Sequence, residues 1–241
     1  MFDAVSKALS ELFIPPVRRV LVKSVALALL LIVIFGIVLQ RVLNAFAEHG
    51  ANWAEQTVGY ASHSAWAALA FVLSVMAGLG IITGAVFLMP AVTAFVGSFF
   101  VDDVADAIER RDYPADRPGK ALALYLALGE GIRFALLSIA VYLCALPFVL
   151  FAGAGLAIML FANAYLLGRE YFELAAMRFH TPHEARRLRK RNATAVFFAG
   201  MAIAVFVSIP VVNLATPIFA MILMVHMHKG VASGEIGRSR K

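Results

Sequence analysis

The stretch FALLSIAVYLCALPFVLFAGAGLAIMLFANAYLL, Phe134 to Leu167, runs for 34 residues without a charged side chain. A soluble domain has no use for so long an uncharged run, whereas a bilayer asks for about 20 apolar residues per helical crossing of its roughly 30 Å core. The run is too long for one straight crossing and too short for two crossings with a turn between them. Pro147, Gly153 and Gly155 interrupt its middle, where a helix would break.

The rest of the chain has the same character. Of its 241 residues 62% are hydrophobic and 15% charged, with a mean hydropathy of +0.85. Globular chains average about 45–50% apolar and about 25% charged. Three further apolar blocks stand out: Val20 to Leu39, with only Lys23 charged, then Ala65 to Val101 and Ala193 to His228, both uncharged. Pro210 and Pro217 divide the last of these. Met1 to Pro15 carries Asp3, Lys7 and Glu11 among scattered apolar residues, so it does not read as a secretory signal. The single cysteine, Cys144, excludes an intrachain disulfide.

Basic residues orient the passes, because cytoplasmic loops collect Lys and Arg. Four of the 21 precede or open the first block, five lie in Asp102 to Arg133, seven in Gly168 to Asn192 and four from Lys229 onward. Only Arg41 falls in Gln40 to Ser64. On this rule 40–64 is a periplasmic segment, and both termini are cytoplasmic. Block 20–39 is a span, and block 65–101 is a return span that continues as an amphipathic cytosolic helix with its stripe at Val101, Val104, Ala105 and Ile108. Blocks 134–167 and 193–228 must each leave and re-enter on the cytoplasmic side. Arms of about 16 residues reach only about 24 Å, so both read as re-entrant hairpins, the alternative being ordinary full spans with kinks. The predicted fold is all-α: one polytopic integral membrane domain, 1–241, of long spanning helices and half-penetrating helical hairpins. Broken backbone at membrane depth is tolerated only inside protein or beside water, which predicts an enclosed polar path.

Motifs for catalysis are missing: HExxH, CxxC, GxSxG and the P-loop do not occur in the sequence. The protein is therefore not expected to be an enzyme, and no cofactor is expected. Six histidines are present; they read as interfacial or solvated, and no metal site is expected from them. The run RRLRKR, Arg186 to Arg191, reads as a topological anchor attracted to anionic lipid headgroups, with nucleic acid excluded as a partner. In GREYFELAAMR, Gly168 to Arg178, Arg169 and Glu173 are spaced for a helical ion pair, as are Glu130 and Arg133 in LGEGIRF. Ionisable groups near membrane depth are candidates for function, so Glu130 and Arg133 are candidate pathway residues.

The opening PPVRRVLVKSVALALLL, Pro15 to Leu31, poses the sharpest question. A helix starting at about Pro16 places Arg18 and Arg19 in its first turn, where the macrodipole is already positive and cations are disfavoured by about 0.3–1 kcal/mol each. Phospholipid phosphate would relieve that cost, and so would a bound sulfate or phosphate, which free N–H groups, dipole and guanidinium all favour. Lys23 extends the same face.

This opening resembles the arginine-pair motif of the CysZ-type sulfate permeases of bacterial inner membranes. IPVVNLATP, Ile209 to Pro217, is similar to that family's IPxxNL segment followed by proline, and the resemblance covers essentially the whole chain. It implies sulfate import for cysteine biosynthesis by a homo-oligomer in the bacterial inner membrane, acting as a channel or passive carrier. It places sulfate on Arg18 and Arg19 beside Val17, and Asn213 becomes a candidate amide donor in the path. One departure is that the family's glycine is replaced here by Pro16, which has no N–H. The alternative reading is a non-transporting assembly or envelope factor whose basic residues hold lipid headgroups.

Overall fold

A computed structural model of the chain describes residues 2–58, 96–97, 99–149 and 154–233, and every regular element among them is helical. The return span expected over 65–101 therefore lies almost wholly outside the described residues. The elements are α1 (Phe2–Glu11), α2 (Pro15–Val58), α3 (helical residues 99–112), α4 (Leu124–Val149), α5 (Ala154–Met177), α6 (Pro182–Arg191), α7 (Ala193–Val207), α8 (Pro210–Asn213) and α9 (Thr216–Ala232).

Two compact units divide the chain: Val25–Val96, and Met1–Ser24 with Gly97–Lys241. The first holds most of α2. That helix starts one residue before the expected Pro16 and continues through 40–58, the segment assigned to the periplasm. Its part Pro15–Ala45 is long and apolar enough to cross a membrane.

The second unit holds every other helix among the described residues. Here α4 and α5 form an antiparallel hairpin, marked by the Tyr142 hydroxyl donating to Asn163 Oδ1 at 2.7 Å. The arms are longer than expected. Helix α4 begins ten residues before Phe134 and α5 ends ten after Leu167, because Glu130, Arg133, Arg169 and Glu173 are taken into the helices as ion pairs. At 26 residues, α4 reaches about 39 Å. Its stretch Tyr125–Phe148 is apolar and long enough to cross a bilayer, so length alone does not impose partial penetration on this block. The block divides where Pro147, Gly153 and Gly155 predict: Pro147 sits in the last turn of α4, which ends at Val149, and α5 opens at Ala154.

In the last block the prolines act as expected. Pro210 opens α8 and Pro217 lies in the first turn of α9, where a missing N–H costs nothing. Helices α7, of 15 residues, and α9, of 17, reach only about 22 and 25 Å, short of the hydrocarbon thickness. Helix α7 also turns by 93° from α6 at Asn192, a bend of the kind that a broken span or a re-entrant segment makes.

The core gathers around α9, which is buried continuously from Thr216 to His228. Phe172 of α5, Ile203 of α7, and Ala8 and Leu12 near α1 pack with Phe219, Met221 and Ile222. Val101, Val104, Ala105 and Ile108, the predicted apolar stripe of α3, are buried in the same core. Gly168 of α5 and Gly200 of α7 let those two helices touch backbone to backbone: a Cβ on Gly168 would lie 2.6 Å from Val196 O.

Arg178, at the end of α5, fastens α3 and its following loop. Its Nε donates to Glu109 Oε1 at 2.8 Å, and its terminal nitrogens pair with Asp102 and Asp106. Glu109 Oε2 accepts from the Gly119 N–H at 2.9 Å, and the Lys120 N–H donates to Arg178 O at 2.9 Å. Burial alone would lower the pKa of this guanidinium. The Glu109 bond and the three carboxylates outweigh that and raise its pKa.

The reading of the histidines as interfacial or solvated fails for His226 and His228, both buried. The ring of His228 packs as an aromatic, stacked on Phe179 at 5.1 Å between centroids, with His180 edge-on at 5.4 Å. No period in the sequence distinguishes such a histidine from an interfacial one.

Candidate anion site and polar cleft

The first element of the site is the start of α2. Val17 turns its side chain fully inward, whereas Arg18, Arg19 and Lys23 are exposed. Neither guanidinium has an ion-pair or hydrogen-bond partner among the described residues. Few backbone donors remain at this helix start. Pro15 and Pro16 have no N–H, and the Arg18 N–H donates to Ile14 O at 2.7 Å. Of the first four residues, only Val17 keeps an N–H outside that accounting. An anion here would be held by guanidinium groups far more than by a cradle of amides.

The second element is a cleft of about 80 Å³ between the start of α4 and the end of α5, lined by Leu122, Glu130, Arg133, Arg169, Glu170 and Glu173 among others. Each of two glutamates is shared between an arginine of its own helix and one from α6. Glu130 accepts from Arg133 at 3.4 Å and from Arg186 at 2.7 Å. Glu173 Oε1 lies 3.3 Å from Arg169 Nε and accepts from Arg189 Nε at 2.7 Å. The cleft lining thus carries two guanidiniums, Arg133 and Arg169, and three carboxylates, Glu130, Glu170 and Glu173, with Arg186 and Arg189 of α6 supplying two further cations to Glu130 and Glu173. An anion entering it would meet guanidinium donors already partly committed to carboxylates.

Local chemistry explains how α6 delivers its two arginines. Thr181 caps the helix: the Glu184 N–H donates to its hydroxyl oxygen, while the Thr181 N–H donates back to Glu184 Oε2 at 2.9 Å. This reciprocal capping box satisfies two otherwise orphaned donors, and Pro182 supplies the first helical turn. The Thr181 N–H and hydroxyl hold the Glu184 carboxyl below its ordinary pKa.

The sequence-predicted pairs Glu130–Arg133 and Arg169–Glu173 are both present. Arg186 and Arg189 differ from expectation, because they turn to α4 and α5 carboxylates rather than serving only as a lipid-facing run. That pairing joins residues 16 to 56 positions apart, beyond any helical spacing rule. Asn213 is buried, and its Oδ1 accepts from the Thr216 hydroxyl at 3.3 Å, so it closes the α8–α9 corner. Among the described residues, no hydrogen bond or ion pair joins Arg18, Arg19, Lys23 or Asn213 to the cleft.

The chain matches a family described as Sulfate transporter CysZ/Etoposide-induced protein 2.4 over residues 4–217, from α1 to the first turn of α9. The protein belongs to this family. No curated protein matches the chain. Membership in the CysZ/Etoposide-induced protein 2.4 family, together with helices long and apolar enough to span a bilayer, supports a membrane protein with a transport role and an anionic substrate.

Proposed function

We propose that this protein is a sulfate permease of the bacterial inner membrane that imports sulfate for cysteine biosynthesis. It works as a channel or passive carrier, without catalysis, as a homo-oligomer with both termini in the cytoplasm. The observation that carries this reading is the exposed Arg18–Arg19 pair at the positive end of a long apolar helix, with no protein carboxylate on either guanidinium among the described residues. Two unneutralised cations there are stabilised by a dianion, and paired guanidiniums match the oxygen geometry of a tetrahedral oxyanion. The charged cleft between α4 and α5, where Arg133 and Arg169 meet three glutamates, offers a second polar station, and the family description names sulfate. Lys23 adds a third charge to the α2 face.

The test is sulfate binding and sulfate flux on one preparation. Calorimetry should register binding to the parent protein and none to the Arg18→Ala/Arg19→Ala double variant, with the melting temperature of the two alike. Proteoliposomes carrying the parent protein should take up labelled sulfate. Undiminished binding by the double variant removes the site. Normal folding with no flux favours the rival role, an assembly or envelope factor whose arginines hold lipid phosphate.

A further inference from the structure

Away from the arginines, three helices bring a second set of side chains together. Glu11 at the end of α1, Asp112 at the end of α3 and His226 in α9 each present one ligand atom, and these atoms lie within 4.8 Å of one another. Glu11 is 3% exposed and His226 is 7% exposed. Glu11 Oε2 lies 2.6 Å from His226 Nε2, and Asp112 Oδ2 lies 3.9 Å from the same nitrogen. The far side of the ring is fixed by the Tyr113 hydroxyl, 2.8 Å from Nδ1. Lys7 reaches in from α1, with Nζ 2.5 Å from Asp112 Oδ2 and 3.8 Å from Glu11 Oε1.

We propose that Glu11, Asp112 and His226 form a binding site for a first-row divalent cation such as Zn2+, which exchanges with the Lys7 ammonium. Two carboxylate oxygens and one imidazole nitrogen are a donor set suited to zinc and its neighbours rather than to calcium or magnesium. Donor atoms about 2.0–2.2 Å from a tetrahedral ion sit about 3.4 Å from each other. The separations here bracket that value, so shifts of about an ångström close the site. The ammonium already shows that the pocket holds a cation against both carboxylates. Lys7 is half-exposed, so it can swing into solvent when an ion arrives.

The proton inventory balances within the cluster. Without an ion, Nε2–H donates to Glu11 Oε2 and Nδ1 accepts from the Tyr113 hydroxyl; the incoming metal displaces the Nε2 proton to solvent while Nδ1 takes one up, so the ring stays neutral, Nδ1–H donates to the Tyr113 oxygen and the Nε2 lone pair binds the metal. A phenol oxygen holding the outer imidazole nitrogen acts as the orienting partner that ligating histidines usually have. Protein supplies three ligands, so water completes the coordination. The bound ion ties α1 to α3 and α9. This site is independent of the sulfate reading.

The experiment uses the full chain, purified in detergent without a histidine tag and stripped with chelator. Zn2+ is followed by calorimetry, and Co2+ by its visible ligand-field absorption. The expected result is one ion per chain, a raised melting temperature by mass action, and binding at least tenfold weaker in Glu11→Gln. Lys7→Met keeps all three ligands and removes the competitor, so it should bind about tenfold more tightly and answers the objection that Glu11→Gln simply unfolds. Absence of stoichiometric Zn2+ binding in the parent overturns the proposal, as does equal affinity across the parent, Glu11→Gln and Lys7→Met.

Discussion

Gly200 of α7 lies against Gly168 of α5 so closely that a Cβ on Gly200 would sit 2.7 Å from the Gly168 Cα and closer still to Ala164 O. Ala164 and Gly168 are four residues apart on α5, the small-residue spacing by which helices approach in a bilayer, and Gly200 of α7 meets both. Because the obstacle is backbone, it cannot rotate away. Gly200→Leu should separate the helices and lower stability by about 3 kcal/mol or more, at the upper end of overpacking costs. Thermal unfolding in detergent measures it, with Gly36→Leu as the control, since a Cβ at Gly36 meets nothing within 4 Å.

Glu173 neutralises two arginines at once. Its side chain and those of Arg169 and Arg189 are about a tenth exposed or less. Glu173→Gln leaves both cations buried without a carboxylate, which should cost about 3–5 kcal/mol. Arg133, whose side chain is about half exposed, makes an ion pair of the surface kind, so Arg133→Ala should cost below about 1 kcal/mol. Chemical denaturation of the two variants side by side checks the contrast.

The α6 capping box predicts a pH dependence with a definite sign. Glu184 has its pKa lowered from 4.5 in the fold, so its contribution is fully present above the unfolded value of 4.5. It is lost as pH falls through the lower folded value. Helix α6 should therefore fray at acid pH in the parent protein, and already at neutral pH in Thr181→Ala, with looser contacts from Arg186 and Arg189. Hydrogen exchange of the 182–191 amides as pH is lowered reports this directly; protection that does not change between pH 6 and pH 3 contradicts it.

Replacing arginine by lysine at the start of α2 tests whether guanidinium geometry matters there. Lysine keeps the charge but loses the planar two-pronged donor. Arg18→Lys with Arg19→Lys should fold like the parent, because both side chains are exposed, and should bind sulfate about tenfold or more weakly, roughly 1.4 kcal/mol. Equal affinity would mean that charge alone suffices.

What could be read from the sequence follows from the range of each interaction. The helical class, the apolar blocks, the buried stripe of α3 and the breaks at Pro210 and Pro217 are local, and composition and spacing carry them. The pairs Glu130–Arg133 and Arg169–Glu173 are one helical turn apart and were equally visible. Arg186 meeting Glu130, Arg178 meeting Glu109 and His226 meeting Glu11 are separated by 56, 69 and 215 positions. Nothing along the chain marks such partners, so Arg186 read as part of a lipid-facing run and His226 as a solvated histidine. Arm lengths were misjudged for a related reason. A charged residue does not mark the end of a membrane helix here, because carboxylates that neutralise neighbouring arginines let the helix continue through them.

The enclosure of α9 has a consequence for biosynthesis. This helix leaves the ribosome after α1 to α8, yet Thr216 to His228 occupy the middle of the second unit. Until those residues emerge, the earlier helices surround a vacant apolar groove, and such partly made states are prone to aggregate. Translation arrested before Thr216 should therefore leave a nascent chain that depends on insertion factors or chaperones, and the final helix acts as the keystone that releases it from them.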